Sequence, residues 1–408
     1  MKLELASSVL RETTAFQAKV SISPNGDKVF AAYLITVDKV NTLIAELFQN
    51  QNGNMVSFKT LKGDLEFSAI DSGIASPDFS KFTVLDDNQS TDASKAKARL
   101  RLFDNNLNLL GERIFDDAYL PGYTFVGGSF SEDSRAFILS YVVKDGENQK
   151  SIIRIIKADE NLRDIAVLRF EGISTGQTLF THGCDLYVTF VTAEGKLNFD
   201  DLATAAKPQY KLHVYKLEGH VLVSVARAKL PQFSYNAPSV LIKDEHVNIL
   251  VGTLRAIKDD QVNIYENNTS YECDNKHDCA ELRIYRFTGC ELVRLYTNKR
   301  DHTVQSPILH PDARHLVFAN ENANIAAVNS NQPGFWQVST LNHLYEIIRS
   351  RLPYASPHLF NAKFSDNGKW LIIGGASDNQ TCLNNVQLWF VDQVLDCQSS
   401  SASSTICP

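Results

Sequence analysis

The residues best suited to chemistry are few and far apart. Cys273-Asp-Asn-Lys-His-Asp-Cys279 places two thiols and the imidazole of His277 within seven positions. A structural zinc ion needs four such ligands, and no neighbouring Cys or His completes the set. The spacing suits a local disulfide that closes a loop. Cys397 and Cys407 could staple the Ser-rich tail in the same way, or Cys382 could capture one of them; the pairing stays open. Cys184 lies in a turn and Cys290 completes a count of seven, an odd number that leaves a thiol over. Asn88, Asn268 and Asn379 begin Asn-x-Ser/Thr acceptors for N-glycosylation, as does Asn267. There is no Gly-x-Ser-x-Gly elbow, His-Glu-x-x-His pair, Walker loop or Gly-x-Gly-x-x-Gly turn, and the ten histidines are scattered. No catalytic residue, cofactor or metal site is expected from these signals.

The 408 residues are 44% hydrophobic and 21% charged, enough to bury a sizeable core. The net charge of -7 is spread along the chain without a basic stripe, which argues against nucleic acid as a partner. No apolar run approaches the roughly 20 residues that span a bilayer, so membrane insertion is not expected. Glu4 and Arg11 interrupt the apolar start, which does not read as a secretory signal. That makes a cytoplasmic location the default. The late cysteines keep an extracellular or surface-exposed one open.

A repeat organises everything else. Ser21-Ile-Ser-Pro-Asn-Gly-Asp-Lys28, Ile74-Ala-Ser-Pro-Asp78, Ser129-Phe-Ser-Glu-Asp133, Ile308-Leu-His-Pro-Asp312 and Ala362-Lys-Phe-Ser-Asp-Asn-Gly368 each set a tight polar turn between apolar strands. Thr181-His-Gly-Cys-Asp185 and Val240-Leu-Ile-Lys-Asp244 are degenerate copies. Asn25 and Asn367 stand 342 positions apart over six intervals, or 57 each. A second hairpin recurs in phase, as in Leu212-His-Val-Tyr215, Leu282-Arg-Ile-Tyr285 and Val386-Gln-Leu-Trp389. Each unit therefore reads as four strands, which cannot bury both faces alone and must stack on its neighbours.

The Ser-Pro-Asn-Gly and Ser-Pro-Asp turns resemble the inner-strand signature of WD40-like and TolB-like propellers, and Val386-Gln-Leu-Trp389 resembles a WD40 third strand. The resemblance implies an all-β, seven-bladed β-propeller of four-stranded antiparallel blades. The Gly-His and Trp-Asp dipeptides of WD40 repeats are absent, so their hydrogen-bond network is not carried over. Residues 1–395 read as one domain, with blades starting near 17, 70, 124, 177, 236, 304 and 358, and 396–408 as the Ser-rich tail. Lys2-Leu-Glu-Leu-Ala6 alternates and is expected to complete the last blade, closing the ring. Short helical insertions are expected at 198–206 and 341–352, the second with Thr340 as N-cap and Pro353 beyond its end.

A propeller places ligands at the axial mouth. Alignment of the repeats puts Gln17, Asp71, Tyr123, Gln177, Asn236, Gln305 and His358 there. Asp71 is the only carboxylate among them, whereas a lactonase-like metal centre needs several; a water-filled polar channel fits better. The function expected is a non-catalytic interaction or structural module, acting on a protein partner or by self-assembly. The alternatives are a central-channel hydrolase of lactonase or esterase type, using Asp71, Asn236 and His358, and a secreted carbohydrate-binding propeller. Asp71, Asn236, Gln305 and His358 are thus the candidate ligand-binding residues, for a small molecule or a glycan.

Overall fold

The computed structural model describes residues 2–9, 18–37, 40–63, 69–88, 97–116, 125–145, 148–194, 209–231, 237–243, 245–252, 280–300, 303–312, 315–321, 335–340, 350–351, 359–375 and 386–392. They form four-stranded antiparallel sheets, taken here in chain order. Lys19–Ile22 (β2), Lys28–Val37 (β3), Val40–Gln51 (β4) and Asn54–Lys62 (β5) make one. Ala69–Ala75 (β6), Lys81–Asp87 (β7), Ala98–Asp104 (β8) and Leu109–Phe115 (β9) make the next. Phe125–Phe130 (β10), Ala136–Asp145 (β11), Asn148–Lys157 (β12) and Asp164–Glu171 (β13) follow. Then come Ile173–His182 (β14), Asp185–Glu194 (β15), Gln209–Glu218 (β16) and Val221–Leu230 (β17). Ser239–Lys243 (β18), His246–Gly252 (β19), Ala280–Phe287 (β20) and Leu292–Arg300 (β21) pair similarly. So do Thr303–Leu309 (β22), His315–Glu321 (β23), Phe335–Thr340 (β24) and Ser350–Arg351 (β25). Finally Leu359–Phe364 (β26), Trp370–Gly375 (β27) and Val386–Asp392 (β28) are completed by Lys2–Val9 (β1).

The sheets close on themselves. The first strand of each touches the first strand of the next, from β2 through β6, β10, β14, β18 and β22 to β26, which returns to β2. These strands form the inner wall. The last strands lie outside, where β1 pairs β28 from Lys2↔Asp392 to Val9↔Val386. Between sheets the core is aromatic and aliphatic. Phe30, Leu43 and Leu47 meet Phe82, Val84 and Phe103, and the Phe30 and Phe82 rings stand 4.7 Å apart. Each such side chain contributes about 1.5–3 kcal/mol through burial.

No helix occurs among the described residues. The helix expected over 341–352 is corrected at its C-terminal end: Ser350 and Arg351 are strand, paired with Val338 and Gln337. Thr340, read as its N-cap, ends β24. At Ser350 and Arg351 a sheet that needed its fourth strand prevailed over helical spacing. Residues 341–349 and 198–206 lie outside the described residues, as does the tail 396–408.

The polar turns are built alike. Ser23, Ser76, Ser131 and Ser365 each donate their hydroxyl to the carbonyl or carboxylate oxygen two residues on, in Asn25, Asp78, Asp133 and Asn367. Each also accepts the backbone N–H five residues on, at 2.9–3.1 Å. At Asp78 burial resists ionisation, yet hydrogen bonds involving Ser76, Ser80 and Ser134 outweigh it and lower the pKa from 3.8 to about 2. A carboxylate with a depressed folded-state pKa stabilises above its unfolded pKa and loses that contribution as pH falls through the folded one. Asp78→Asn is therefore expected to cost up to about 1 kcal/mol at pH 7, after discounting for solvent at this exposed group, and almost nothing at pH 2. Urea titrations of both proteins across pH 2–7 check it; a pH-independent difference would refute it.

A second repeated feature was not foreseen. In six sheets the third strand carries a buried or half-buried polar residue one position before a register shift against the outer strand: Glu46, Arg101, Arg154, His213, Arg283 and Gln387. Five of them have a local partner through at least one polar atom. Tyr33 donates to Glu46, Arg101 Nη2 reaches Asp86 at 2.7 Å, and Arg154 Nε donates to Tyr141 at 2.9 Å. His213 Nε2 lies 2.9 Å from Thr192 Oγ1, and Arg283 Nε donates to Glu281 at 2.6 Å. Opposite each, the outer strand bulges by one residue, at Phe58, Leu110, Ile165, Val225, Leu295 and Ala6.

Candidate functional site at the closing seam and the inner wall

Two places hold the residues that bear on function. The first is the seam where β1 closes the ring. Glu4 stands opposite Phe390 on β28, and Phe390 stands opposite Trp370 on β27, so the three line up across one sheet. The Trp370 and Phe390 rings meet edge to face at 5.3 Å. The neighbouring sheet supplies the other wall through the turn at Asn52 and Gly53. Together with Leu5 and Ala6 these residues line a groove of about 390 Å³. Leu5 and Phe390 are each 39% exposed.

Glycine makes this geometry possible. A Cβ on Gly26 would stand 2.2 Å from Trp370 Cδ1, and one on Gly53 3.2 Å from the Ala6 Cβ. Both have left-handed backbones, φ +79° and +95°, which side chains disfavour. The indole can therefore lie against the backbone of the first sheet. Turn-to-turn hydrogen bonds pin the seam: Asn367 Nδ2 donates to Asn25 O at 2.9 Å, and the Met55 N–H donates to Ser7 Oγ at 3.3 Å.

The second place is the inner wall. Asp71 lies on β6 at a register shift between Ile70 and Ser72, and Gln305 lies on β22 just before one. Both belong to the wall, on strands that are not neighbours in the circuit. Asn236 and His358 lie outside the described residues, as do Gln17 and Tyr123. Gln177, expected at the mouth, is instead fully buried and donates to Ser140 between two sheets. The sequence also missed Lys363, on β26. Burial pushes its ammonium below the usual lysine range, against the pull of Asp366.

Cys273, Cys279, Cys382, Cys397 and Cys407 lie outside the described residues, as do Asn268 and Asn379. Cys184 and Cys290 are exposed free thiols. Asn88 is described; its side-chain oxygen accepts the Lys97 N–H at 3.0 Å and closes a loop. Among the described residues, no three of His, Cys, Asp and Glu converge as metal ligands. One of two buried histidines among the described residues, His213, is pushed below its usual pKa by burial, opposed by Glu194. It stacks on Phe190 at 5.3 Å as a core residue.

No family model and no curated protein match this sequence. Solved structures do. The chain is similar to U3-55K, at 9% identity and TM-score 0.52, covering 95% of this chain and 98% of that one. It is similar to a chain of Kuenenia stuttgartiensis hydrazine synthase, at 10% identity and TM-score 0.53, covering 94% and 98%. The β-propeller domain of the Pyrococcus furiosus Trilobed protease aligns at 14% identity and TM-score 0.48, over 92% and 94%. The fold is a β-propeller. At these identities the likeness extends to the architecture alone. The propeller's blades are four-stranded and antiparallel, and its activity has to be sought in its own side chains.

Proposed function

We propose that this chain is a seven-bladed, WD40-like or TolB-like propeller over residues 1–395, acting as a non-catalytic protein-interaction module. Its seam groove receives a segment of a protein partner. The circuit of inner strands, each touching the next and the last returning to the first, supports that count. The observation that carries the function is where the polar groups go. Glu46, Asp86, Glu194 and Glu281 are held in contacts with Tyr33, Arg99 and Arg101, Lys211, and Arg283. The groove is instead walled by Trp370, Phe390 and Leu5, with Glu4 at one side. Aromatic anchors of this kind dominate protein interfaces.

A photo-crosslinking amino acid at position 390, introduced in the source cells, tests this. A discrete protein adduct, lost on adding Glu4→Lys, is expected. An adduct with a second copy of the chain would identify self-assembly as the interaction. The reading is overturned if the purified protein turns over esters, lactones or glycosides and Asp71→Ala abolishes that turnover, which would make it a central-channel hydrolase.

A further inference from the structure

Of the six polar residues that precede the outer bulges, His213 in the fourth sheet is the one histidine. Histidine is the side chain whose ordinary titration falls between about pH 5 and 8. His213 stands on β16 opposite Phe190 of β15, on the face that meets the third sheet. Its ring stacks on Phe190 at 5.3 Å, and Phe190 stacks in turn on Phe170 of β13 at 5.8 Å. The Tyr215 ring stands 6.1 Å away. The imidazole is thus one leaf of an aromatic stack that joins two sheets.

The hydrogen bonds around it fix where its proton sits. Thr192 Oγ1 donates to Glu194 Oε1 at 3.4 Å, and Glu194 Oε2 accepts from Lys211 Nζ. A hydroxyl has a single proton to give, so at its other contact, 2.9 Å from His213 Nε2, it accepts. Nε2 therefore carries the ring's proton, and Nδ1 the bare lone pair. A second proton has to go on Nδ1, which is buried and has no acceptor among the described residues. The charged groups about the ring are Glu194 on β15, Lys211 on β16 and Arg227 on β17; the first attracts a proton and the other two repel it. From the third sheet Ile153, Ile155, Leu168 and Phe170 meet this face, none of them charged. Burial keeps the ring neutral against the pull of Glu194.

We propose that His213 is an acid-sensitive latch between the third and fourth sheets: a proton taken up at Nδ1 drives the imidazolium out of the stack toward water and parts Phe190 from Phe170. The neutral ring is the latched form. A histidine held neutral by the fold leaves stability whole above the usual value of 6.5, and that stability is lost as pH falls below it toward the folded value. The latch is separate from the seam groove, which lies between the last and first sheets, and it does not rest on the partner segment proposed there.

The whole protein is labelled with ¹⁵N in its histidine rings, and the resonances that disappear in His213→Gln identify the residue. At pH 7 the Nε2–H tautomer is expected; the Nδ1–H tautomer overturns the latch. Urea titrations of the wild type and of His213→Gln then run from pH 7 to pH 5. The ratio of their unfolding constants should climb by up to about tenfold per pH unit below the unfolded histidine value, since the other titrating groups are common to both. A ratio that stays flat overturns the latch. Amide exchange locates the opening. Protection at pH 5 should fall first in β13, β16 and β17 of the wild type, and a uniform fall around the ring overturns a local release. If His213→Gln fails to fold, contacts with Phe190 assign the ring and its titration in the wild type decides. Uptake of the second proton at or above the ordinary histidine value is then the overturning result.

Discussion

Removal of residues 1–9 is expected to unfold the ring as a unit rather than to fray one end of it. β1 is the outer strand of the last sheet, and it also lies beside β5 of the first. It therefore ties the two ends of the circuit together. Without it the backbone of β28 keeps β27 but loses its partners on the other side from Val386 to Asp392, beside Leu388 and Trp389, which are 0% and 1% exposed. The groove wall formed by Glu4, Leu5 and Ala6 goes as well. Several ladder hydrogen bonds at about 1 kcal/mol each, with the apolar cover, put the loss above about 4 kcal/mol. That is a large part of the roughly 5–15 kcal/mol that holds a domain together. Amide exchange followed by mass spectrometry measures it. Loss of protection should run through β2–β5 and β26–β28 together, and an effect confined to β28 would contradict the closure argument.

The second large effect is expected at Asp86. Its carboxylate is fully buried and takes Arg99 Nε and Nη2 at 3.2 and 2.8 Å, and Arg101 Nη2 at 2.7 Å. Arg99 and Arg101 are 4% and 6% exposed, so neither guanidinium can turn to water in place. Asp86→Ala leaves two buried cations facing a missing anion, and the expected cost is about 3–5 kcal/mol. Glu112, half in solvent and 3.9 Å from Arg99, should matter far less, within about 1 kcal/mol on conversion to alanine. Adding Arg99→Met and Arg101→Leu to Asp86→Ala should return much of the loss, since apolar side chains carry no charge to strand. Urea denaturation of the series decides it; an Asp86→Ala loss no larger than that of Glu112→Ala would contradict the account.

The propeller architecture was legible because its punctuation is local. Ser23-Pro-Asn-Gly26 and Ser365-Asp-Asn-Gly368 close their turns with their own side chains, so the sequence alone announces them. The alternation of Lys2–Ala6 likewise pointed to the strand that pairs with β28. The helix read over 341–352 failed at Ser350 because spacing cannot say whether a sheet still lacks a strand. The site was harder. Trp370, Phe390 and Glu4 are hundreds of residues apart in part, and only ring closure makes them neighbours. Gln177 was misplaced because a shift of the inner-strand register turns a lining residue into one buried between sheets.

The outer bulges have a consequence for the molecule among its own kind. Among the described residues each outer strand is paired on one side only, and several carry exposed apolar groups, including Phe58 at 51% and Leu110 at 41%. A flat edge of that composition would be a template on which another copy could zip up and begin a fibril. The extra residue at Phe58, Leu110, Ile165, Val225, Leu295 or Ala6 throws the edge out of phase partway along. An invading strand can match the amide groups on one side of the bulge or on the other, but not on both. The irregularity in these six ladders thus works against growth of the greasy rims, edge upon edge, into a fibril.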